Sequence, residues 1–235
     1  AVCGKYRSGK STLLGRLLGG GNGSTPFTVG HTVNACSKGI CCALIPNTDV
    51  LLLDTEGLLS PDSSSTHDTR IFALALLLSS TLIYNITSTI DENALSTLRV
   101  VCDFASLMVQ DGEGGNDGGG LEALARHMPR FDVLVRDFAL ELVPPSGEPL
   151  TTNEWFESVL STDCFAADVD GAQDKAQIRR TLRELFPRRG CTTLPHPGGD
   201  PASPSTTTGA NSAFESGIEA LRKRIIASEA KQVEG

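Results

Sequence analysis

The stretch "GKYRSGKS", residues 4–11, spells G-x-x-x-x-G-K-S only three residues from the start of the chain. Glycines at this spacing let successive backbone N–H groups wrap closely around a phosphate, and the positive end of a following helix adds to the field. The motif dictates its own surroundings. It has to follow a buried strand and open a helix, which makes it the first piece of an α/β unit. Ala1, Val2 and Cys3 are all that this chain offers for that strand, so the first strand reads as truncated. Within the motif, Lys10 is placed to reach the β- and γ-phosphates, and the Ser11 hydroxyl to ligate magnesium.

A second motif supports the first. In "VLLLDTEGL", residues 50–58, four apolar residues push Asp54 to the tip of a buried strand. An Asp in that position holds magnesium through water. Gly57 just beyond it lets a backbone N–H approach the γ-phosphate.

The rest of the chain alternates strands and helices. Helical spacing runs over residues 10–18, and "GGGNG" ends it as a loop. Strand-length apolar runs cover 39–46 and 49–57, joined by a turn at Pro46 and Asn47. Residues 61–69 read as polar loop, 71–78 as helix, 82–86 as buried strand and 93–107 as a second helix with Leu95, Leu98, Val101 and Cys102 on one face. The low-complexity segment 110–120 reads as a flexible insertion. A short helix at 121–127, a strand at 131–136, helices at 153–160 and 174–185, and a short strand at 191–195 follow. Residues 196–211 form a linker-like loop, and the terminal segment 212–230 carries a helix whose Phe214, Ile218, Leu221 and Ile225 share a face. This order predicts one α/β domain over residues 1–235, with a mainly parallel central sheet and helices on both faces.

Composition narrows the partners. The net charge of −8 disfavours nonspecific binding to nucleic acid or to an anionic membrane. The longest apolar stretch, residues 71–85, contains Ser79, Ser80 and Thr81 and falls short of the roughly 20 residues of a spanning helix. No signal peptide is visible. The seven cysteines are odd in number and include no C-x-x-C, so they read as buried or incidental thiols in a reducing compartment, with no structural metal.

Taken together, these residues resemble the guanylate-binding protein and atlastin branch of the dynamin-like large GTPases. The resemblance rests on "GKYRSGKS" with its unusual Arg7, on "KGI" at residues 38–40, and on "LLLDTEGL" at 51–58. It extends to "IFALALLLSSTLIYN" at 71–85, "VRDFAL" at 135–140 and "FPRRGCTTLPHP" at 186–197. It implies a P-loop NTPase G domain that binds GTP and Mg2+, hydrolyses GTP, and forms a nucleotide-dependent homodimer. It further implies a guanine-cap-like loop over 196–211. The nucleotide would lie against Gly4, Lys5, Tyr6, Arg7, Ser8, Gly9, Lys10 and Ser11, against Val29, Gly30 and His31, and against Asp54, Thr55, Glu56, Gly57 and Leu58. Arg136 and Asp137 would read the base in place of the N-K-x-D of Ras-like GTPases. A carboxylate at Asp137 accepts from both N1–H and the 2-amino group of guanine, whereas adenine offers neither donor.

For hydrolysis the resemblance places Arg7 as an arginine finger in cis, Ser37 as magnesium ligand and water-orienting residue, and Glu56 as indirect support of the water network. The magnesium set is Ser11, Ser37 and Asp54. Two positions depart from the family: Ala35 stands where a water-activating Ser is typical, and Cys36 where His is frequent. A guanine-nucleotide switch or scaffold with weak hydrolysis is therefore the alternative reading, and a P-loop kinase or adenine-nucleotide enzyme is a third. A cytoplasmic protein is expected, and membrane association is left open, since the helical region that follows the G domain in this family lies beyond this chain.

Overall fold

A computed structural model describes residues 1–19, 26–27, 39–58, 64–110, 119–144, 147–162, 171–198 and 212–231. Six strands form one sheet: β1 (Val2–Cys3), β2 (Ile40–Leu44), β3 (Leu51–Thr55), β4 (Thr81–Thr87), β5 (Arg130–Arg136) and β6 (Arg189–Thr193). Their spatial order is β2-β3-β1-β4-β5-β6. Only the β2–β3 pair is antiparallel. The α/β architecture with a mainly parallel sheet is therefore as the sequence indicates.

Alternation along the strands places helices on both faces. Cys3, Leu82, Tyr84, Ile86, Phe131, Val133 and Val135 point into one core, shared with α2 (Ser65–Leu78), α3 (Glu92–Thr97), α4 (Arg99–Gln110), α6 (Thr152–Val159) and α7 (Ala172–Leu185). The helix α5 (Gly119–Arg126) packs at the margin of that core. Val2, Leu52, Ile83 and Leu134 point the other way, into a core with α1 (Lys10–Leu17) and α8 (Ser212–Ile226). Phe131 is fully buried and stacks on Phe186 at 4.7 Å between ring centroids, with Tyr84 behind it at 6.4 Å.

Several boundaries differ from the sequence reading, each for a local reason. The helix α2 begins at Ser65, inside the segment read as polar loop, because the Ser64 side chain accepts from the His67 N–H and caps it. The helix read over 93–107 is two helices with a break at Leu98. Ser96 Oγ and Thr97 Oγ1 donate to the carbonyls of Glu92 and Asn93, and this back-bonding bends the chain. The last helix stops at Ile226, where Ser228 N and Oγ both donate to the Ile225 carbonyl. Of the segment 110–120, Gln110 ends α4 and Gly119 opens α5; residues 111–118 lie outside the described residues, as do 199–211 of the linker-like loop.

The cysteines divide. Cys3 and Cys191 are buried, and burial pushes their thiols up to about 12, which keeps them protonated and inert. Cys41 and Cys42 are exposed, contrary to the buried strand their apolar neighbours suggest, because β2 lies at the end of the sheet order. Among the described residues no helix is long and apolar enough to cross a membrane.

Truncating the central ring tests the core. Phe131→Ala should cost about 3–5 kcal/mol of stability, read as a lowered urea midpoint; a loss below about 1 kcal/mol would show that the Tyr84–Phe131–Phe186 stack is not the packing centre.

Candidate functional site

The parallel strands β1, β3, β4, β5 and β6 deliver their carboxyl ends to one edge of the sheet, the edge at which open α/β sheets bind ligands. There the chain leaves β1, turns through residues 4–9 and enters α1 at Lys10. The turn is possible only with glycine at its two ends. Gly4 has φ +146°, and a Cβ on it would sit 2.3 Å from the Asn85 carbonyl oxygen. Gly9 caps α1 in the left-handed region at φ +77°, and a Cβ there would sit 2.3 Å from Arg136 Nη1. Arg7, at the exposed bend, also adopts positive φ, 57°. Its guanidinium carbon lies 5.9 Å from the Tyr6 ring centroid.

Lys10 is buried. Its ammonium donates to the carbonyls of Gly4 at 3.3 Å and Lys5 at 3.2 Å, so the side chain arches back over the loop. Burial pushes its pKa down, with the nearby Asp54 and Glu56 carboxylates opposing. A polyanion in the loop would reinforce the charged form. Ser11 Oγ donates to Asp54 Oδ2 at 2.6 Å, bringing the two magnesium candidates from α1 and β3 into direct contact.

The segment after Asp54 is laid against the loop. Leu58 N donates to the Gly4 carbonyl at 3.1 Å, and Tyr6 N to the Leu58 carbonyl at 2.9 Å. A Cβ on Gly57 would meet Tyr6 Cα at 2.5 Å and Lys10 Nζ at 3.1 Å, so only glycine fits. Thr55 Oγ1 donates to the Val2 carbonyl at 3.0 Å, which places its hydroxyl in the β1–β3 seam. Glu56 Oε2 accepts from Gly39 N and from His67 Nε2, both at 3.1 Å.

Two side chains from other strands hold the loop from behind. Asn85 on β4 donates through Nδ2 to the Ser8 carbonyl at 2.8 Å and to Ser8 Oγ at 3.0 Å. Arg136 on β5 donates through Nη1 to the carbonyls of Ser8 at 3.2 Å and Gly9 at 3.0 Å. Asp137 follows in the left-handed region at φ 56°. Phe138 N then donates to the Leu194 carbonyl, which fixes the turn against the end of β6. Asn85 Oδ1, Arg136 Nε and Asp137 Oδ1 are buried and have no hydrogen-bond partner among the described residues. Strained backbone and unsatisfied polar atoms gathered at one edge are what a ligand site leaves behind.

The structure thus brings together Gly4, Lys5, Tyr6, Arg7, Ser8, Gly9, Lys10, Ser11, Asp54, Glu56, Gly57, Leu58, Arg136 and Asp137. Val29, Gly30, His31, Ala35, Cys36 and Ser37 lie outside the described residues. Sequence reasoning missed Asn85 and His67. Asn85 had a signal, as the one amide in the apolar run "TLIYNIT"; His67, inside a polar stretch, had none.

The chain matches the family model described as "Guanylate-binding protein, N-terminal domain" over residues 1–232. It is 36% identical over 211 residues to guanylate-binding protein 4 of Homo sapiens, covering 85% of this chain and 31% of that protein. It is 36% identical over 207 residues to guanylate-binding protein 3 of Mus musculus, covering 85% of this chain and 32% of that protein. The chain therefore spans about a third of the length of the curated relatives it matches. A crystal structure of a dimerization-deficient mutant of Toc33 from Arabidopsis thaliana aligns with TM-score 0.42 and 13% identity, over 98% of this chain and 84% of that one, a distant likeness.

The clamp on the loop is testable without a ligand. Arg136→Ala removes the Nη1 hydrogen bonds to the Ser8 and Gly9 carbonyls, leaving Asn85 on Ser8, and should cost about 1–3 kcal/mol. It should also raise amide exchange across residues 5–10. Unchanged exchange there would show that the loop holds its shape by itself.

Proposed function

The chain belongs to the guanylate-binding protein family, and on that premise we propose that it binds GTP with magnesium and hydrolyses it. The observation that carries the reading is the Ser11–Asp54 contact at 2.6 Å beside the arched Lys10, with the Arg136–Asp137 turn at the same edge. Lys10 donates to the Gly4 and Lys5 carbonyls and would turn from them to the β- and γ-phosphate oxygens of a nucleotide. Loop N–H groups and the amino end of α1 supply the remaining positive field.

One hydroxyl and one carboxylate oxygen in contact suit a hard cation that keeps most of its waters, as magnesium does. Ser11 and Asp54 would hold it, with Ser37 proposed as the third ligand, and it would neutralise charge on the phosphate oxygens. Asp137 accepts from the guanine edge. Arg7, exposed at the bend of the loop, stabilises charge that develops on the transferred phosphoryl group, a contribution of about 10³–10⁵ in rate where such a finger operates. Glu56 acts indirectly, by fixing the turn that carries Gly57. Nucleotide-dependent dimerisation through the G domain is part of the proposal and comes from the family. Ala35, standing where a Ser is typical in the family, favours slow hydrolysis with intact binding.

Single-turnover phosphate release at saturating chain tests the reading, and three substitutions sort its parts. Lys10→Ala should abolish GTP binding; tight binding by that variant would contradict the phosphate-loop assignment. Asp137→Asn should weaken GTP roughly ten- to a hundredfold through loss of a charge-assisted hydrogen bond. Unchanged preference for GTP in that variant would place base recognition elsewhere. Ala35→Ser should raise the rate of the chemical step by a few tens of fold, about 2 kcal/mol, with little change in affinity. Equal rates would show that Ala35 does not limit the reaction.

A further inference from the structure

One carboxylate oxygen joins three separate elements. Glu56, just past the end of β3, receives the Gly39 N–H from the start of β2 and His67 Nε2 from the first turn of α2. An ionised carboxylate only accepts, so His67 Nε2 carries the proton in this contact. The Glu56 N–H in turn donates to the Gly39 carbonyl at 2.8 Å, so Gly39 and Glu56 are stitched in both directions. The next residue, Gly57, lies against Tyr6 and Lys10. The backbone angle at Glu56 therefore decides where the Gly57 N–H points relative to the phosphate loop.

His67 is well placed to set that angle. Its own N–H is fixed by Ser64 Oγ at 3.2 Å, so the residue is held at both backbone and ring. Its side chain is 46% exposed while that of Glu56 is only 13% exposed. A contact with one wet partner adds little to global stability. Its effect lies in orientation: it gives the Glu56 carboxylate a partner on a rigid helix in addition to one on a strand.

We propose that His67 is a positioning residue, which holds Glu56, and through it Gly57, against the phosphate loop. The proposal rests on the GTPase reading above for its kinetic consequence, but not for its structural one. His67 does not touch the loop, so its loss leaves Lys10 and Ser11, which dominate affinity, in place; the loss appears in the step that needs Gly57 and Glu56 in register.

The test uses the 235-residue chain with His67→Ala and His67→Gln, the second of which keeps an N–H donor near the Nε2 position. His67→Ala should slow single-turnover GTP hydrolysis about tenfold, the size typical of a supporting contact, with unchanged GTP affinity. In the absence of nucleotide it should also speed hydrogen exchange of the Gly39 amide severalfold, because the carboxylate that this amide bonds is no longer fixed. His67→Gln should restore both. Parent-like hydrolysis and Gly39 exchange in His67→Ala would overturn the proposal, and so would a Gln variant as impaired as the Ala variant. If the parent chain bound GTP without hydrolysing it, the GTPase reading would fail, and Gly39 exchange alone would decide the positioning role.

Discussion

The carbonyls of Ser8 and Gly9 accept hydrogen bonds from side chains carried by two other strands, Asn85 on β4 and Arg136 on β5. These bonds turn a glycine-rich bend into a fixed cradle. A free loop with Gly4 and Gly9 would lose much of its shape to backbone entropy. Fastened from behind through the Ser8 and Gly9 carbonyls, the bend is held in one shape. The same fastening explains why a Cβ fits at neither glycine: the Asn85 backbone closes in on Gly4 and the Arg136 guanidinium on Gly9.

Arg136 thereby links two tasks. It holds the loop, and it is followed directly by Asp137, whose left-handed backbone sets the carboxylate that we assign to guanine. The phosphate and guanine contacts that we propose would thus be mechanically joined through adjacent residues at one strand end. On the other side of the loop, the Leu58 N–H donates to the Gly4 carbonyl and its carbonyl accepts from the Tyr6 N–H, so the segment after β3 is docked onto the cradle as well. Lys10, buried with loop carbonyls as its partners, completes a site preorganised for a polyanion.

The parts of this site with strong local chemistry were legible in the sequence. The Gly4–Ser11 spacing and the apolar run ending on Asp54 each carry their geometry with them, and Ser11 and Asp54 do meet. The strands could be read because most are buried apolar runs, and the apolar face of α8 because its period is intact. What escaped depends on contacts distant in sequence. Asn85 matters through Ser8, 77 positions away, and His67 through a carboxylate that only the fold brings near. The break at Leu98 escaped because Ser96 and Thr97 are polar helix residues in sequence and back-bonding donors only in place. Cys41 and Cys42 look apolar and buried, but the position of β2 at the end of the sheet order, which the sequence does not state, leaves them exposed.

The central claim is that the cradle and the Arg136–Asp137 turn form one guanine-nucleotide site. Calorimetric titration of the chain with GTP, GDP and ATP, each with magnesium, measures this most directly. The account predicts that GTP and GDP bind at one site and that ATP binds weaker by on the order of a hundredfold or more, since adenine leaves the buried Asp137 Oδ1 without a donor. Equal affinity for ATP and GTP, or no binding of any of the three, would contradict it.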